Sequence, residues 1–188
     1  MEIASAISRP QSRPSLRGRS FEVTIELLLA SPLSRYEGRP ADGPLPATVP
    51  ETHARIEIRA GLGVVGDRYY AKAAHRQASV TLMAMETLDH VASVLELGRI
   101  PDAAATRRNV MLRGFPVDEL RGRRFSLDSG DGPVEFQGHR PASPCAWMNV
   151  VLAPGAHQAL RGRGGVRCEP LSSGLLALGP ATLVVADA

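Results

Sequence analysis

Arg123-Arg-Phe-Ser-Leu-Asp-Ser-Gly-Asp-Gly-Pro-Val-Glu-Phe-Gln137 reads as two short strands around a turn. Phe125 and Leu127 alternate with Arg124 and Ser126, and Val134 and Phe136 alternate with Glu135 and Gln137. That period of two puts apolar side chains on one face of each segment. Between Arg123–Leu127 and Val134–Gln137, the run Asp128-Ser-Gly-Asp-Gly-Pro133 concentrates the residues that tolerate tight turns. The stretch predicts an antiparallel hairpin, and the rest of the chain repeats its style. Downstream, Gly165–Glu169, Gly174–Leu178 and Ala181–Ala186 read as strands, and Ala153–Leu160 as a short helix with Pro154 in its first turn. Upstream, Phe21–Leu29, His53–Arg59, Ser79–Met83 and Asn109–Arg113 read as strands. One segment has helical period: Leu88, Val91, Ala92 and Leu95 fall on one face of a helix over 85–97, and Gly98 stops it. Many short strands with Gly/Pro turns and one main helix predict a mainly β protein, a barrel or closed sheet.

Length and composition narrow the class. The 188 residues suit one domain with a real core. Residues 1–20 carry Arg9, Arg13, Arg17 and Arg19 among serines and prolines, and read as a flexible arm before a single domain over 21–188. The 31–51 stretch, dense in Pro, Gly and Asp, is too long for a plain connection. The net charge of +3 is carried almost entirely by arginine, since Lys72 is the sole lysine. Codon bias in a GC-rich genome fits that load, as it fits the Ala, Gly and Pro content. No apolar run is long enough to span a bilayer, and no apolar stretch marks a secretory signal. Two cysteines, Cys145 and Cys168, make no disulfide framework, so a reducing cytoplasm is the expected setting.

Chemistry concentrates in Arg140-Pro-Ala-Ser-Pro-Cys-Ala-Trp-Met148. Proline fixes φ and lacks the ladder N–H, so this segment is expected to leave the sheet and present Cys145 on a rigid loop. A cysteine so placed is either a small packing residue or a thiolate held by Arg140. Three other stretches bear on ligands. Gly61-Leu-Gly-Val-Val-Gly66 matches the dinucleotide fingerprint, with Glu86 about 20 residues on where the ribose acid would stand. The pattern is discounted, because Asp67-Arg-Tyr-Tyr70 follows where a helix should open on phosphate. The remaining reading is a glycine loop that aims Asp67 and Arg68, with Gly66 needed for its missing Cβ. Thr106-Arg107-Arg108-Asn109 is either an anion site or a solvated charge pair capping a loop. Arg161-Gly-Arg-Gly-Gly165 with Arg167 is either a backbone nest for an anion or a flexible basic turn. His75, His139 and His157 lack metal-ligand spacing.

Taken in order, Gly61-Leu-Gly-Val-Val-Gly-Asp-Arg68, His75-Arg-Gln-Ala-Ser-Val80, Glu86, Arg107-Arg-Asn109, Gly122-Arg-Arg-Phe125 and Pro144-Cys145 with Met148 resemble the MOSC family, named after the C-terminal part of molybdenum cofactor sulfurase. The resemblance runs from about Phe21 to Leu183 and is nearer the stand-alone bacterial members than the two-domain ones. It implies a closed, mostly antiparallel β-barrel of the pyruvate-kinase β-barrel type with a few helices. It implies that Cys145 is a molybdenum ligand or a sulfur-carrying nucleophile. It places the phosphate of a molybdenum–molybdopterin cofactor on Arg68, Arg107, Arg108 and Asn109. Arg107-Arg108 departs from the Arg-Pro pair common in long relatives.

Two functions follow from the resemblance. One is a molybdenum-dependent oxidoreductase that reduces N-hydroxylated or N-oxide compounds. The other is a persulfide carrier or cofactor-delivery protein that uses Cys145. The implied partners are a small-molecule substrate and a separate redox or cofactor-assembly protein, with neither nucleic acid nor membrane. Pyridoxal phosphate is discounted, since no lysine sits in a Schiff-base motif. The residues themselves agree with the resemblance: a thiolate suits a soft metal, and arginine forks suit a dianionic phosphate.

Overall fold

Phe125 lies directly across from Phe136, and Leu127 from Val134, so the predicted hairpin forms in the expected register. The structure is a computed structural model and describes residues 16–187. Ten strands appear: β1 (Gly18–Leu28), β2 (Arg55–Arg59), β3 (Gly63–Val64), β4 (Val80–Ala84), β5 (Val110–Arg113), β6 (Arg124–Asp128), β7 (Val134–Pro141), β8 (Val166–Pro170), β9 (Gly174–Ala177) and β10 (Gly179–Ala186). Three helices accompany them: α1 (Glu86–Val94), α2 (Met148–Val151) and α3 (Ala156–Ala159). Seven of the strands close into a barrel in the order β1-β10-β6-β7-β8-β4-β5. Every neighbouring pair is antiparallel except β4 and β5. Among the described residues no helix is long and apolar enough to cross a membrane.

Alternation fills the barrel. Ile25, Leu82, Leu112, Leu127, Val166, Cys168 and Leu183 point inward and are fully buried. Phe125 and Phe136 stack inside with ring centroids 5.3 Å apart. The parallel pair β4–β5 is different, because its outer face is covered too. Met83 and Met111 point outward into a second apolar cluster with Leu88 and Val91 of α1, Trp147, Met148 of α2 and Ala156 of α3. That double cover accounts for the continuous apolar run Val110-Met-Leu112 in β5, where alternation is absent. It also defines the place where a cavity can open: outside the barrel wall, where the helical cover ends.

Several expectations move. The first strand starts at Gly18 rather than Phe21, because Gly18, Arg19 and Ser20 pair with Ala186, Val185 and Val184. The first 15 residues of the expected arm lie outside the described residues. The strands β2 and β9 leave the barrel and form a separate sheet with β3. The main helix is shorter than 85–97, since Leu95 bends away and Glu96 takes φ +51. The second helical segment shrinks to one turn at Ala156–Ala159. No helix opens after Gly66; the chain makes turns and then a 3-10 turn at Ala73–Ala78.

Candidate functional site

A cavity of about 310 Å³ opens on the outer face of the barrel wall, at the start of β4 and β5. Four arginines line it: Arg68, Arg107, Arg108 and Arg167. Asp67 is the one carboxylate on its wall, and Cys145 is the one thiol. The exit from β7 comes after Pro141, whose neighbour Ala142 still donates to the Gly165 carbonyl at 2.8 Å. Ser143-Pro144-Cys145 then leaves the sheet, and Cys145 is exposed. The Met148 N–H donates to the Cys145 carbonyl at 3.0 Å, so the cysteine starts the turn that leads into α2.

The residues singled out by sequence divide into three groups. Cys145 and Arg68 face the cavity with their functional atoms largely uncommitted. Arg68 lies over the Tyr69 ring, 4.7 Å from its centroid, and reaches the Ser34 hydroxyl at 3.5 Å. Asp67, Arg107, Arg108 and Asn109 line the cavity too, but the protein itself takes most of their hydrogen-bonding capacity. Asp102 caps a 3-10 turn at Ala103–Thr106 by accepting from the Ala104 N–H at 3.0 Å, and Arg107 then takes φ +59 to turn the chain into β5. The Arg107 guanidinium pairs with Glu51 and donates to the Leu33 carbonyl at 3.0 Å. Arg108 donates to the carbonyls of Gly164 (2.9 Å), Ala142 (2.6 Å) and Thr106 (3.0 Å). Burial, and then the charge of Arg167, pushes Arg108 down to about 10, so it remains cationic at neutral pH.

Asn109 is the tie between β1, β4 and the glycine loop. Its Oδ1 accepts from the Thr81 N–H at 2.9 Å. Its Nδ2 donates to the Leu29 carbonyl at 3.0 Å and to Asp67 at 3.1 Å. Asn109→Ala is expected to cost about 3 kcal/mol by leaving those buried partners unpaired. Chemical denaturation checks this, and a loss within the scatter of surface substitutions would make the tie irrelevant to stability.

Gly66 and Arg140 fall away from the cavity. Arg140 is exposed in β7, opposite Arg167 of β8, and does not line the cavity that holds Cys145. The guanidiniums that share the cavity with Cys145 are those of Arg68, Arg107, Arg108 and Arg167. Gly66 has φ +82, and a Cβ there would meet nothing within 4 Å. The positive φ is what calls for glycine there. Gly66→Ala should therefore cost about 1 kcal/mol of stability and leave thiol labelling at Cys145 unchanged. A labelling change at unchanged stability would return the residue to the site.

Sequence reading missed the roof of the cavity. The 31–51 loop contributes Ser34 and Tyr36 to the lining. Tyr36 stacks on Trp147 with ring centroids 5.1 Å apart, and its hydroxyl donates to the Ala105 carbonyl. Glu51 closes the loop by accepting from the Ser31 hydroxyl at 2.6 Å and pairing with Arg35 and Arg107. The length of the loop was its only signal. Burial alone would raise the Glu51 carboxyl, but hydrogen bonds from Ser31, Arg107 and Arg35 outweigh it and hold it below its ordinary 4.5. The folded value lies below the unfolded one, so this contribution is present above about 4.5 and lost as pH falls through the folded value. Acid should loosen the loop, read as a change in Trp147 emission, and Glu51→Gln should already be loosened at neutral pH. An unaltered acid response in Glu51→Gln would remove this carboxylate as the latch.

No protein-family model and no curated protein matches the sequence. Solved structures do match. The fold is similar to that of the YuaD protein from Bacillus subtilis, with a TM-score of 0.69 and 16% identity over 92% of this chain and 100% of that one. It is similar to YiiM from Escherichia coli, with a TM-score of 0.57 and 15% identity over 88% of this chain and 70% of that one. At these identities the likeness establishes a shared barrel fold.

Proposed function

We propose that this is a MOSC-type protein that holds a molybdenum pterin in the cavity, with Cys145 as metal ligand, and reduces N-hydroxylated or N-oxide compounds there. One observation carries the reading: the only exposed cysteine of the chain opens into a cavity walled by four arginines. The ordered motifs of the sequence and a barrel shared with YiiM, a MOSC-domain protein, support it.

The donor set fits such a cofactor. A thiolate is a good ligand for a soft metal, and guanidinium forks suit a phosphate dianion. The Nε of Arg107 is buried with no acceptor, so that wall has a donor left for a ligand. Arg68 and the Arg107 Nε are the donors proposed to hold the phosphate. Arg108 and Asn109, named for that role by the motif, shape the wall from behind it. When bound, the cofactor supplies the two-electron chemistry. The chain's own part is to bind and orient. Cys145 fixes the metal on its turn. The Tyr36–Trp147 pair and the Glu51 latch keep the roof in place. The paired Asp67 carboxylate cannot swing out to repel an anion, because Tyr69 N–H and Asn109 hold its two oxygens.

A second reading is favoured by the exposure of Cys145, which a partner protein could reach: the sulfur would carry a persulfide to cofactor assembly. Protein made in a molybdenum-replete host separates the two. Molybdenum near one equivalent and turnover of an N-hydroxylated compound with an artificial electron donor are expected. A molybdenum-free protein that takes up persulfide sulfur at Cys145 would overturn the first reading in favour of the second.

A further inference from the structure

The four arginines of the cavity are not equivalent. Arg107 is clamped by Glu51 and the Leu33 carbonyl, and Arg108 by three carbonyls. Arg68 lies on Tyr69 and touches Ser34. Arg167 has no such tether: it makes no hydrogen bond through its side chain and no ion pair among the described residues. It projects from the second residue of β8, between Val166 and Cys168, which point into the barrel, so it faces outward beside Thr81 of β4. Rigid strand backbone fixes where its side chain starts. Its charge and that of Arg108 repel, and that repulsion weakens the hold of Arg108 on its proton. No lining carboxylate is free to pair with it, since Asp67, the one present, is engaged by Ser31 N–H, Tyr69 N–H and Asn109. An untethered cation beside a second cation, in a cavity with a buried unpaired Arg107 Nε, calls for an anion from outside.

We propose that Arg167 receives the negatively charged end of the substrate, so that the protein acts on small organic anions (carboxylates, sulfonates or phosphates) whose reacting atom then lies at the Cys145 sulfur. The proposal deepens the functional reading and rests on this cavity being the substrate site, but its test does not need molybdenum.

The test uses full-length protein from cells that do not make the pterin, and two disulfide probes. One is dianionic, 5,5′-dithiobis(2-nitrobenzoate); the other is neutral, 4,4′-dithiodipyridine. The Cys145 sulfur attacks one probe sulfur, the mixed disulfide forms, the probe's S–S bond breaks, and the released arylthiol carries off the electron pair and is read by absorbance. Cys168 is buried in the barrel and stays silent. Dividing the two rates cancels any change in the nucleophilicity of Cys145 itself and leaves the charge preference of its surroundings. Wild type is expected to prefer the dianion relative to a small uncharged thiol. Arg167→Gln should lower the rate ratio about tenfold, the loss of one charge-assisted contact. Arg167→Lys should keep most of it, and inorganic phosphate should slow the dianion in wild type only. Arg161→Gln removes the same charge from an exposed position off the cavity and should leave the ratio within about twofold. A ratio unchanged in Arg167→Gln, or lowered equally in Arg161→Gln, overturns the proposal. Absence of molybdenum from replete cells, with the Arg167-dependent ratio intact, would overturn the molybdenum reading and leave this one standing.

Discussion

Cys145→Ser is expected to fold like wild type and to contain no molybdenum above background. The side chain is exposed and makes no contact on which the fold depends, so the substitution removes only the soft sulfur. A serine hydroxyl is not ionised at neutral pH and is a poor partner for such a metal. Turnover of N-hydroxylated compounds should fall by about a hundredfold or more, since loss of a ligand exceeds loss of its outer partners. Under the carrier reading, the same variant loses persulfide loading. The partner experiment is Cys168→Ala. Cys168 is fully buried between Val80 and Gly138, and burial pushes its thiol up, so it is unreactive. Cys168→Ala should trim stability slightly and retain metal, whereas serine there would bury a hydroxyl in the barrel core. Metal content and thiol labelling, at matched circular dichroism, decide the matter. Retained molybdenum and turnover in Cys145→Ser would end the assignment, and their loss in Cys168→Ala would move it to the other sulfur.

Gly165→Ala is expected to be the most damaging small substitution in the chain. Gly165 has φ +88, and a Cβ built there lies 2.0 Å from the Leu82 carbonyl oxygen of β4. The obstacle is backbone, so no rotamer relieves it and β8 must move off β4. The same residue donates its N–H to Asp118 at 3.1 Å and accepts from Ala142 through its carbonyl. A loss above about 4 kcal/mol follows, enough to unfold a domain of ordinary stability. Denaturant unfolding measures it, and a variant that unfolds at the wild-type midpoint would show that β8 has room to spare.

The hairpin was legible because everything that forms it is local: two alternating segments and a turn between them. Alternation states which face is buried but not which strand lies alongside, and so β2 and β9 looked the same as barrel strands. Gly18–Ser20 carries no apolar signal and is ordered by pairing with β10. The candidate site divides in the same way. Cys145 stood out because prolines frame it. Arg107, Arg108 and Asn109 line the cavity, yet their partners, such as the Gly164 and Ala142 carbonyls that hold Arg108, come from distant segments. Composition counts donors and is blind to acceptors. Arg140 was chosen because it is near Cys145 in the chain, whereas Arg167 shares the cavity with it.

The barrel closes where β1 meets β10 and β5, so its first and last strands are neighbours. On a ribosome that geometry imposes an order. The β6–β7 hairpin can form as soon as it emerges, but β1 waits for β10, which is made last. Until then β1 presents one unpaired edge, a template for aggregation. The cavity waits for β8 in the same way, because its lining runs from Leu29 to Arg167 and no shorter nascent chain contains it. A nascent chain stalled before β8 therefore lacks the cavity, and under the proposed function it should not retain a ligand.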